Sequence, residues 1–309
     1  ASIQAGLPME SVAMAVNRLC SSGLQGIVTT AQQIMLGDCD YGVGGGVEVM
    51  SRGTYMLPAL RSGARMGDTQ AIDSMVATLT DPFGVGHMGI TAENLAVKWN
   101  ISREEQDALA CESQRRAAAA IAEGRFKSQI VPIVKQTRKG EVVFDTDEHV
   151  KASTTMETLA KMRPAFKKDG TVTPANSSSI SDGAAAMVLM RASQAAKLGL
   201  SPIARIVGHT THAGVPALFP SAPVGAMQKL LAKTGWTAAD VDLWEINEAF
   251  AVVTMAAIHD MQLPVEKVNI HGGACALGHP IGASGARIVV TLLGALKKYG
   301  LKRGVASLC

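Results

Sequence analysis

The feature that most constrains the fold is a strand–turn–helix–strand order that occurs once near each end of the chain. In the first copy, Ser11–Val16 and Tyr41–Val49 are strand-like runs, and Leu24–Leu36 between them has helical spacing. The second copy follows the same order and consists of Val268–Ile270, the glycine-rich turn His271–Gly285, the helical Ala286–Leu296 and the strand-like Gly304–Leu308. Two copies of one alternating pattern predict a duplicated α/β fold.

The residues between the two copies do not follow the strand–turn–helix–strand order, and they predict an insertion carried by the first half. Ser102–Gly124 opens with a capping box and continues as an Ala-rich amphipathic helix. Ile130–Val143 predicts two short strands and Glu157–Met162 a short helix, whereas Asp182–Leu198 resumes the strand-and-helix pattern. We therefore predict three parts: an N-terminal core half at 1–50 and 181–202, an inserted domain at 51–180, and a C-terminal core half at 203–309.

Composition and charge argue against several classes of partner. The net charge is +3 over 309 residues with dispersed Lys and Arg, so we expect no nucleic-acid partner. The apolar runs are short and interrupted, so we expect no membrane insertion. The five cysteines are far apart and form no C-x-x-C pair, which indicates reduced thiols and a cytoplasmic protein; they are Cys20, Cys39, Cys111, Cys275 and Cys309.

Cys20 lies between a strand-like run and a helix, in a segment rich in Ser and Gly. The positive end of a helix dipole stabilises a thiolate, so we expect the pKa of this thiol to be lowered from its usual value of about 8.5. The alternative is an inert buried cysteine, which is the commoner state of this residue type. Position alone leaves both interpretations open.

The segment Gly272–Gly285 is rich in glycine and contains His279, which precedes Pro280 and is therefore held outside helical geometry. A histidine in such a turn can act as a base or as a hydrogen-bond donor, or it can be a solvated loop residue. A metal site made of His271, Cys275 and His279 is a further alternative, but no carboxylate with convincing ligand spacing accompanies them.

Asn247 and Cys309 are weaker signals when each is taken alone. Asn247 interrupts an apolar stretch, where it could cap a helix over Glu248–Asp260 and also hold a water molecule. Cys309 follows a strand-like run that is expected to be buried. Neither residue defines a function by itself.

Together these segments resemble the motifs of the thiolase family. Asn17–Gln25 is similar to the family's nucleophile motif, Asn247–Phe250 to its asparagine motif, and Gly278–Gly282 to its histidine motif. Cys309 falls where the family has a second catalytic cysteine, and the insertion resembles the family's loop domain. The resemblance covers the whole chain and implies the thiolase fold, an α/β fold with layers in the order α-β-α-β-α.

The resemblance implies that the family's pattern continues beyond both ends of this chain. A first core strand would precede Ala1, a targeting segment could have preceded it, and a closing glycine-rich strand would follow Cys309. A backbone N–H of that closing strand resembles the second donor of the family's oxyanion hole. Loss of one such donor costs about 3 kcal/mol, so we expect little activity from a polypeptide that ends at Cys309.

The resemblance implies a reversible Claisen condensation of two acetyl-CoA molecules to acetoacetyl-CoA and CoA. In this chemistry Cys20 carries the acyl group, and His279 activates Cys20. Cys309 exchanges a proton with the α-carbon of acetyl-CoA, and Asn247 holds a water that, with His279, stabilises the enolate oxygen. The CoA thioesters are substrates, so we expect no cofactor and no metal.

The resemblance also implies contacts with coenzyme A. Ser178 resembles the serine that contacts pantetheine, and Lys151 stands where many relatives have an arginine. Seven more residues are expected to contact the substrate, although each could equally be ordinary core: Leu79, His87, Met88, Phe166, Ala175, Ala249 and Phe250.

The segment His87–Gly89 resembles the short-chain, acetoacetyl-CoA type of thiolase, which is the activity we expect. Two alternatives stay open. One is a broad-range degradative 3-ketoacyl-CoA thiolase of fatty-acid β-oxidation, and the other is a non-catalytic CoA-thioester or lipid-binding protein on the same fold. Met56–Met75 resembles the loop through which related enzymes form tetramers, so we expect a homotetramer built as a dimer of dimers.

Overall fold

The computed structural model describes residues 1–309 and contains ten α-helices and ten β-strands. The helices are α1 Ser22–Leu36, α2 Ser74–Thr78, α3 Met88–Trp99, α4 Arg103–Ala122, α5 Met156–Ala160, α6 Ala192–Lys197, α7 Ala222–Thr234, α8 Ala251–Met261, α9 Ala274–Leu277 and α10 Ile281–Tyr299. The strands are β1 Tyr41–Val49, β2 Tyr55–Met56, β3 Ile72–Asp73, β4 Thr80–Asp81, β5 Gly86–His87, β6 Ile133–Thr137, β7 Gly140–Phe144, β8 Asp182–Met190, β9 Leu243–Ile246 and β10 Gly304–Ser307. None of the helices combines the length and the apolar character needed to cross a membrane.

The principal helices begin and end at residues that the sequence marks. The predicted capping box of α4 is present, because Ser102 accepts from the backbone of Glu105 and the Glu105 side chain accepts from the backbone of Ser102. Helices α1 and α10 end at Gly37 and Gly300, whose left-handed backbones have φ of 90° and 65°. The strand pair β6 and β7 and the short helix α5 are confirmed as well.

Helix α10 lies between two sheets. Strands β1 and β8 pair in antiparallel register from Tyr41 opposite Met190 to Val49 opposite Asp182. Strands β9 and β10 pair in parallel, starting with Leu243 opposite Gly304. Helix α10 packs on all four strands, and α1 packs beside it on β1. The predicted α/β architecture is confirmed, while the bounds of the three predicted parts stay a prediction.

The C-terminal half has its apolar core between β9, β10 and the outer helices α7 and α8. Trp244 and Ile246 from β9 are 0% and 1% exposed and pack against Met227 of α7 and Ala257 of α8. Burial of this cluster stabilises the sheet that carries the polar segment after β9. The end of β9 is therefore a rigid platform for Asn247.

Glycines let α1 and α10 approach each other more closely than any side chain would allow. A Cβ on Gly23 would lie 2.7 Å from the backbone nitrogen of Ala286, and a Cβ on Gly285 would overlap the backbone of Leu24. Strand β1 joins the same contact, because a Cβ on Gly46 would overlap the carbonyl of Gly282. Three backbones therefore meet where α1 and α10 begin.

The glycine-rich segment His271–Gly285 is not one long turn, because it contains α9 and the first turn of α10. Three other local predictions are wrong. Ser11–Val16 is not a strand, since no neighbouring strand pairs with it, and Val12 is 97% exposed. Val268–Ile270 forms only one bridge, from Val268 to Trp244, because Asn269 leaves extended geometry with a φ of 48°.

The third wrong prediction is the helix over Glu248–Asp260 with Asn247 as its cap. Helix α8 begins at Ala251, and its N-cap is Phe250. The residues before it stay extended because the carbonyl of Ala249 accepts a hydrogen bond of 3.0 Å from the N–H of Ser178. The side chain of Asn247 therefore does not cap α8.

Replacing Gly285 with Ala should destabilise the protein by about 3 kcal/mol, because its Cβ meets immovable backbone where α1 and α10 cross. Urea unfolding followed by circular dichroism measures this change. Gly294→Ala on the same helix is the matched control, since its Cβ meets only the flexible end of the Gln129 side chain. Equal stability of the two variants would contradict the close packing of these backbones.

Candidate active site

Cys20 lies in a tight turn immediately before α1. The turn is a single 3-10 turn over Leu19–Ser21, and Leu19 has a φ of 48°, which is unusual for a residue with a branched side chain. The Asn17 side-chain oxygen accepts from the N–H of Leu19 at 3.0 Å, and the Ser22 hydroxyl accepts from the N–H of Arg18 at 2.8 Å. These local hydrogen bonds hold the strained turn and fix the position of the thiol.

His279 lies immediately before α10 and meets Cys20. Its ring Nε2 is 3.2 Å from the Cys20 Sγ, and the side chain is 6% exposed. Gly278 has a φ of 90°, and Pro280 prevents the preceding residue from becoming helical. Because α1 and α10 cross at their first turns, the residues that precede the two helices come together.

Asn247 follows β9 and approaches the opposite edge of the same imidazole. Its Nδ2 is 3.5 Å from the Nδ1 of His279, and its backbone N–H donates to the Ser307 carbonyl at 3.0 Å. The side chain is 1% exposed, and its Oδ1 has no protein partner. A buried amide oxygen without a partner can hold a water molecule, which agrees with the predicted role.

Cys309 follows β10 on the same side of the sheet. Its carbonyl accepts a hydrogen bond of 3.4 Å from the Ser21 hydroxyl, so the ends of β10 and of the Cys20 turn are adjacent. Burial raises the pKa of the Cys309 thiol, and the nearby Cys20 raises it further. Two sulfurs distant in sequence therefore share one site with a single imidazole.

The expectation that the pKa of Cys20 is lowered is wrong. Burial raises the pKa of this thiol to about 11, and the carboxylate of Glu48 adds to the rise. Loss of solvation outweighs the backbone hydrogen bond at Cys20, which acts in the opposite direction and lowers the pKa. Burial, with a contribution from Arg287, lowers the pKa of His279 to about 4. At neutral pH the resting pair is therefore a thiol and a neutral imidazole.

Sequence reasoning missed two residues that act on this centre, one by a direct contact and one through its charge. Ser284 places its Oγ 2.5 Å from the Nδ1 of His279. Glu48 accepts from the N–H of Gly282 at 3.1 Å and faces the first turn of α10. The available signal for Ser284 was its place one helical turn after Pro280, which puts both residues on one face.

The buried carboxylate of Glu248 fixes the loop that leads to His279. It is 2% exposed and accepts three hydrogen bonds, from the Ser113 hydroxyl at 2.7 Å, the Asn269 amide at 2.9 Å and the Cys275 N–H at 3.1 Å. Ser113 belongs to α4 in the predicted insertion. Glu248 therefore ties the insertion, the end of β9 and the glycine-rich loop into one unit.

The three side chains considered as metal ligands have separate partners. The His271 Nε2 is 3.3 Å from the Tyr299 hydroxyl, whereas the Cys275 thiol donates to the Glu248 carbonyl at 3.8 Å. His279 contacts Cys20 instead. The three lie in three different environments.

Most residues expected to contact coenzyme A form one connected wall. The N–H of Met88 donates to the Leu79 carbonyl at 2.7 Å. The His87 ring stacks on Phe166 with centroids 4.8 Å apart, and Phe166 meets the edge of Phe250 at 6.0 Å. Phe250 is the N-cap of α8 and lies three residues after Asn247, so this wall adjoins the segment that carries Asn247.

Ser178 and Ala249 extend this wall through their backbone hydrogen bond of 3.0 Å. Ala175 packs in a neighbouring apolar cluster with Cys275. Lys151 is exposed and stands apart from the aromatic wall; its N–H donates to the Gln114 side chain at 2.7 Å. Contact of these residues with coenzyme A stays a prediction.

Comparison with known families agrees with this geometry. The family model described as "Thiolase, N-terminal domain" matches residues 1–193, and "Thiolase, C-terminal domain" matches residues 200–309. An acetyl-CoA acetyltransferase of Chromobacterium violaceum is 49% identical over 309 residues, which are 99% of this chain and 79% of that protein. Beta-ketothiolase BktB of Cupriavidus necator is 48% identical over 311 residues, and the alignment covers 100% of this chain and 79% of BktB.

Solved structures give the same result. The chain superposes on the acetyl-CoA acetyltransferase of Bacillus anthracis with a TM-score of 0.97 and 45% identity, covering 100% of this chain and 78% of that one. It superposes on human mitochondrial 3-ketoacyl-CoA thiolase in complex with CoA with a TM-score of 0.95 and 41% identity, covering 99% and 77%. The chain belongs to the thiolase family, and its fold is the thiolase fold.

Replacing Glu48 with Gln should lower the pKa of Cys20, because it removes a negative charge while keeping an oxygen that can accept from the Gly282 N–H. Iodoacetamide alkylates the Cys20 thiolate of the folded protein, and mass spectrometry of the peptide that contains Cys20 gives the rate. The dependence of this rate on pH, from neutral to alkaline, reports the pKa. The pH at which the alkylation rate reaches half its maximum, called the half-maximal pH, should fall below the wild-type value of about 11.

Glu141→Gln on the exposed strand β7 is the control for this measurement and should leave the half-maximal pH unchanged. An unchanged half-maximal pH in the Glu48 variant would show that this carboxylate does not act on the thiol.

Proposed function

We propose that this thiolase catalyses the reversible Claisen condensation of two acetyl-CoA molecules to acetoacetyl-CoA and CoA. The observation that carries the proposal is the 3.2 Å contact between Cys20 and His279, with Cys309 beside Cys20. Claisen chemistry needs a nucleophile that can also leave and a second base for a weak carbon acid. Two thiols beside one imidazole supply both.

In the first half-reaction the Cys20 sulfur attacks the carbonyl carbon of acetyl-CoA, and the Nε2 of His279 takes the thiol proton. The tetrahedral intermediate collapses by breaking the bond to the CoA sulfur, which leaves with the proton from His279. The product is an acetyl group on Cys20. Because the resting pair is neutral, the proton moves when the attack occurs and can move back in the reverse reaction.

In the second half-reaction His279, neutral again, takes the proton of the Cys309 thiol, and the Cys309 thiolate removes a proton from the α-carbon of a second acetyl-CoA. The enolate carbon then attacks the acetyl carbonyl, the bond to the Cys20 sulfur breaks, and Cys20 leaves as a thiol with the proton from His279. A thiol with a raised pKa gives a more basic thiolate, which suits a weakly acidic carbon. A water held by the partnerless Oδ1 of Asn247 would donate a hydrogen bond to the enolate oxygen.

Substrate identity is supported by the relatives of the chain. Proteins named acetyl-CoA acetyltransferase are 49% identical to it over nearly its whole length. The degradative alternative uses the same four catalytic groups and is not favoured by these names. The non-catalytic alternative requires loss of a catalytic group, whereas Cys20, Asn247, His279 and Cys309 are all in place.

Replacing Cys20 with Ala should abolish the transfer of an acetyl group from acetyl-CoA to the enzyme. Radiolabelled acetyl-CoA and peptide mass spectrometry on the full-length gene product measure the transfer. Cys39→Ala is the matched control, because Cys39 packs beside the core of α1 and β8, away from His279. Label that stays on the Cys20 variant at the wild-type level would refute the proposed nucleophile.

We also propose that the protein is a homotetramer held in part by residues 56–75. Three large apolar side chains in or beside this segment are strongly exposed: Tyr55 at 66%, Leu60 at 54% and Met66 at 99%. They surround the two-residue strands β2 and β3, which have little core of their own. A second copy of the chain would cover this surface.

Replacing both Leu60 and Met66 with Asp should convert the tetramer to a dimer, because charge cannot be buried cheaply between two copies. Multi-angle light scattering measures the mass. Val97→Asp, at a residue 78% exposed on α3, is the control and should stay tetrameric. An unchanged mass in the double variant would exclude this segment as an interface.

A further inference from the structure

The hydroxyl of Ser284 is the closest polar group to the catalytic imidazole on the side away from Cys20. Its Oγ is 2.5 Å from the Nδ1 of His279 and 2.9 Å from the Pro280 carbonyl. The side chain is fully buried, so no solvent competes for either contact. The reaction proposed above assigns this residue no part.

Two groups face the Nδ1 of His279, and they favour different tautomers. The Asn247 Nδ2 at 3.5 Å is a donor and can only face an unprotonated Nδ1. The Ser284 Oγ donates to the Pro280 carbonyl at 2.9 Å, so toward Nδ1 at 2.5 Å it acts as an acceptor and requires a protonated Nδ1. The shorter contact belongs to the hydroxyl, and the longer one lies at the limit of a hydrogen bond.

Counting protons decides between the two tautomers. With the proton on Nδ1, the Cys20 thiol donates to Nε2, Nδ1 donates to Ser284, and Ser284 donates to the Pro280 carbonyl. The thiol, the ring N–H and the hydroxyl then each have an acceptor, and the chain of hydrogen bonds runs in one direction away from the sulfur. Only the Asn247 Nδ2, whose contact of 3.5 Å is the longest of the set, loses its acceptor. With the proton on Nε2, this ring nitrogen faces the sulfur as a donor and cannot accept the thiol proton.

We propose that Ser284 is a positioning residue that keeps the proton of His279 on Nδ1, so that the Nε2 lone pair faces the Cys20 thiol. This inference rests on the proposed function, in which His279 is the base for Cys20. A hydroxyl, unlike a carboxylate, adds no negative charge behind the imidazole. It therefore sets the tautomer without stabilising a permanent imidazolium.

The other charged or titratable groups that act on this pair differ from Ser284 in their effect. Cys309 is beside Cys20, Glu48 acts on the thiol, and Arg287 acts on the imidazole. All three change the charge balance of the site, and none contacts Nδ1 through a hydrogen bond. Removal of the Ser284 hydroxyl consequently changes the tautomer without changing any charge.

The first experiment observes the tautomer directly. Long-range proton–nitrogen correlation spectra of the protein labelled with nitrogen-15 histidine show which ring nitrogen of His279 carries the proton. His279→Asn identifies its signals by their absence. We expect a protonated Nδ1 in the wild type and a protonated Nε2 in Ser284→Ala, where the Asn247 amide becomes the remaining partner. A protonated Nε2 in the wild type would overturn the proposal.

The second experiment measures the rate of acetyl transfer from acetyl-CoA to Cys20 as a function of pH. At neutral pH, Ser284→Ala should be about 100-fold slower, because the wrong tautomer cannot accept the thiol proton. The deficit should shrink as the pH approaches about 11, where Cys20 ionises without a base. A purely structural defect would give the same deficit at every pH and would overturn the proposal.

Thr291→Val is the matched control for the second experiment. Thr291 is 3% exposed, lies two turns further along α10, and can lose its hydroxyl with little change of shape. It should transfer acetyl groups at the wild-type rate. Wild-type protein that fails to acetylate Cys20 would refute the proposed function, whereas equal rates for wild type and Ser284→Ala would refute this inference alone.

Discussion

The contact between α1 and α10 is the constraint on which the rest of the structure depends. Gly23 on α1 and Gly285 on α10 leave no room for side chains, so the two backbones touch at the first turns of both helices. Cys20 and His279 immediately precede these helices and meet at 3.2 Å as a result. A single methyl group at this crossing would push apart residues that lie 259 positions apart in the chain.

The electrostatic state of the site follows from its burial. Without solvent, both the Cys20 thiol and the His279 imidazole keep their neutral forms, with the pKa raised to about 11 for one and lowered to about 4 for the other. In the neutral pair the proton moves to His279 only as the sulfur attacks, and the imidazolium formed at that moment can return it to a leaving thiolate. A neutral pair therefore suits an enzyme whose acyl group must leave the cysteine as readily as it arrives.

The sequence predicted the elements that depend on local patterns and missed those that depend on pairing. The capping box at Ser102 and the helix end at Gly37 were read correctly, because both are set by residues close in sequence. Ser11–Val16 was predicted to be a strand because it is an apolar run, whereas a strand also needs a neighbour with which to pair. The four catalytic positions came from the resemblance to a family.

The electrostatics of the site were beyond the reach of the sequence for a different reason. The dipole of α1 was visible in the pattern, but the desolvation of Cys20 depends on packing from distant segments. Ser284 lies in a run of small residues, where a serine gives no sequence signal of a function. Its contact with His279 is visible only in the folded structure.

The buried carboxylate of Glu248 orients the insertion against the core. With aromatic residues at 4% of the chain, few large rings are available to join the two parts. Glu93 accepts from the backbone of Thr171 and Val172 and holds the insertion together internally, while Glu248 joins it to the core by accepting from Ser113 and from the loop before His279. Hydrogen bonds of this kind are directional, and a carboxylate left with one donor missing is costly. The insertion can therefore dock in one orientation, which fixes the aromatic wall relative to Cys20.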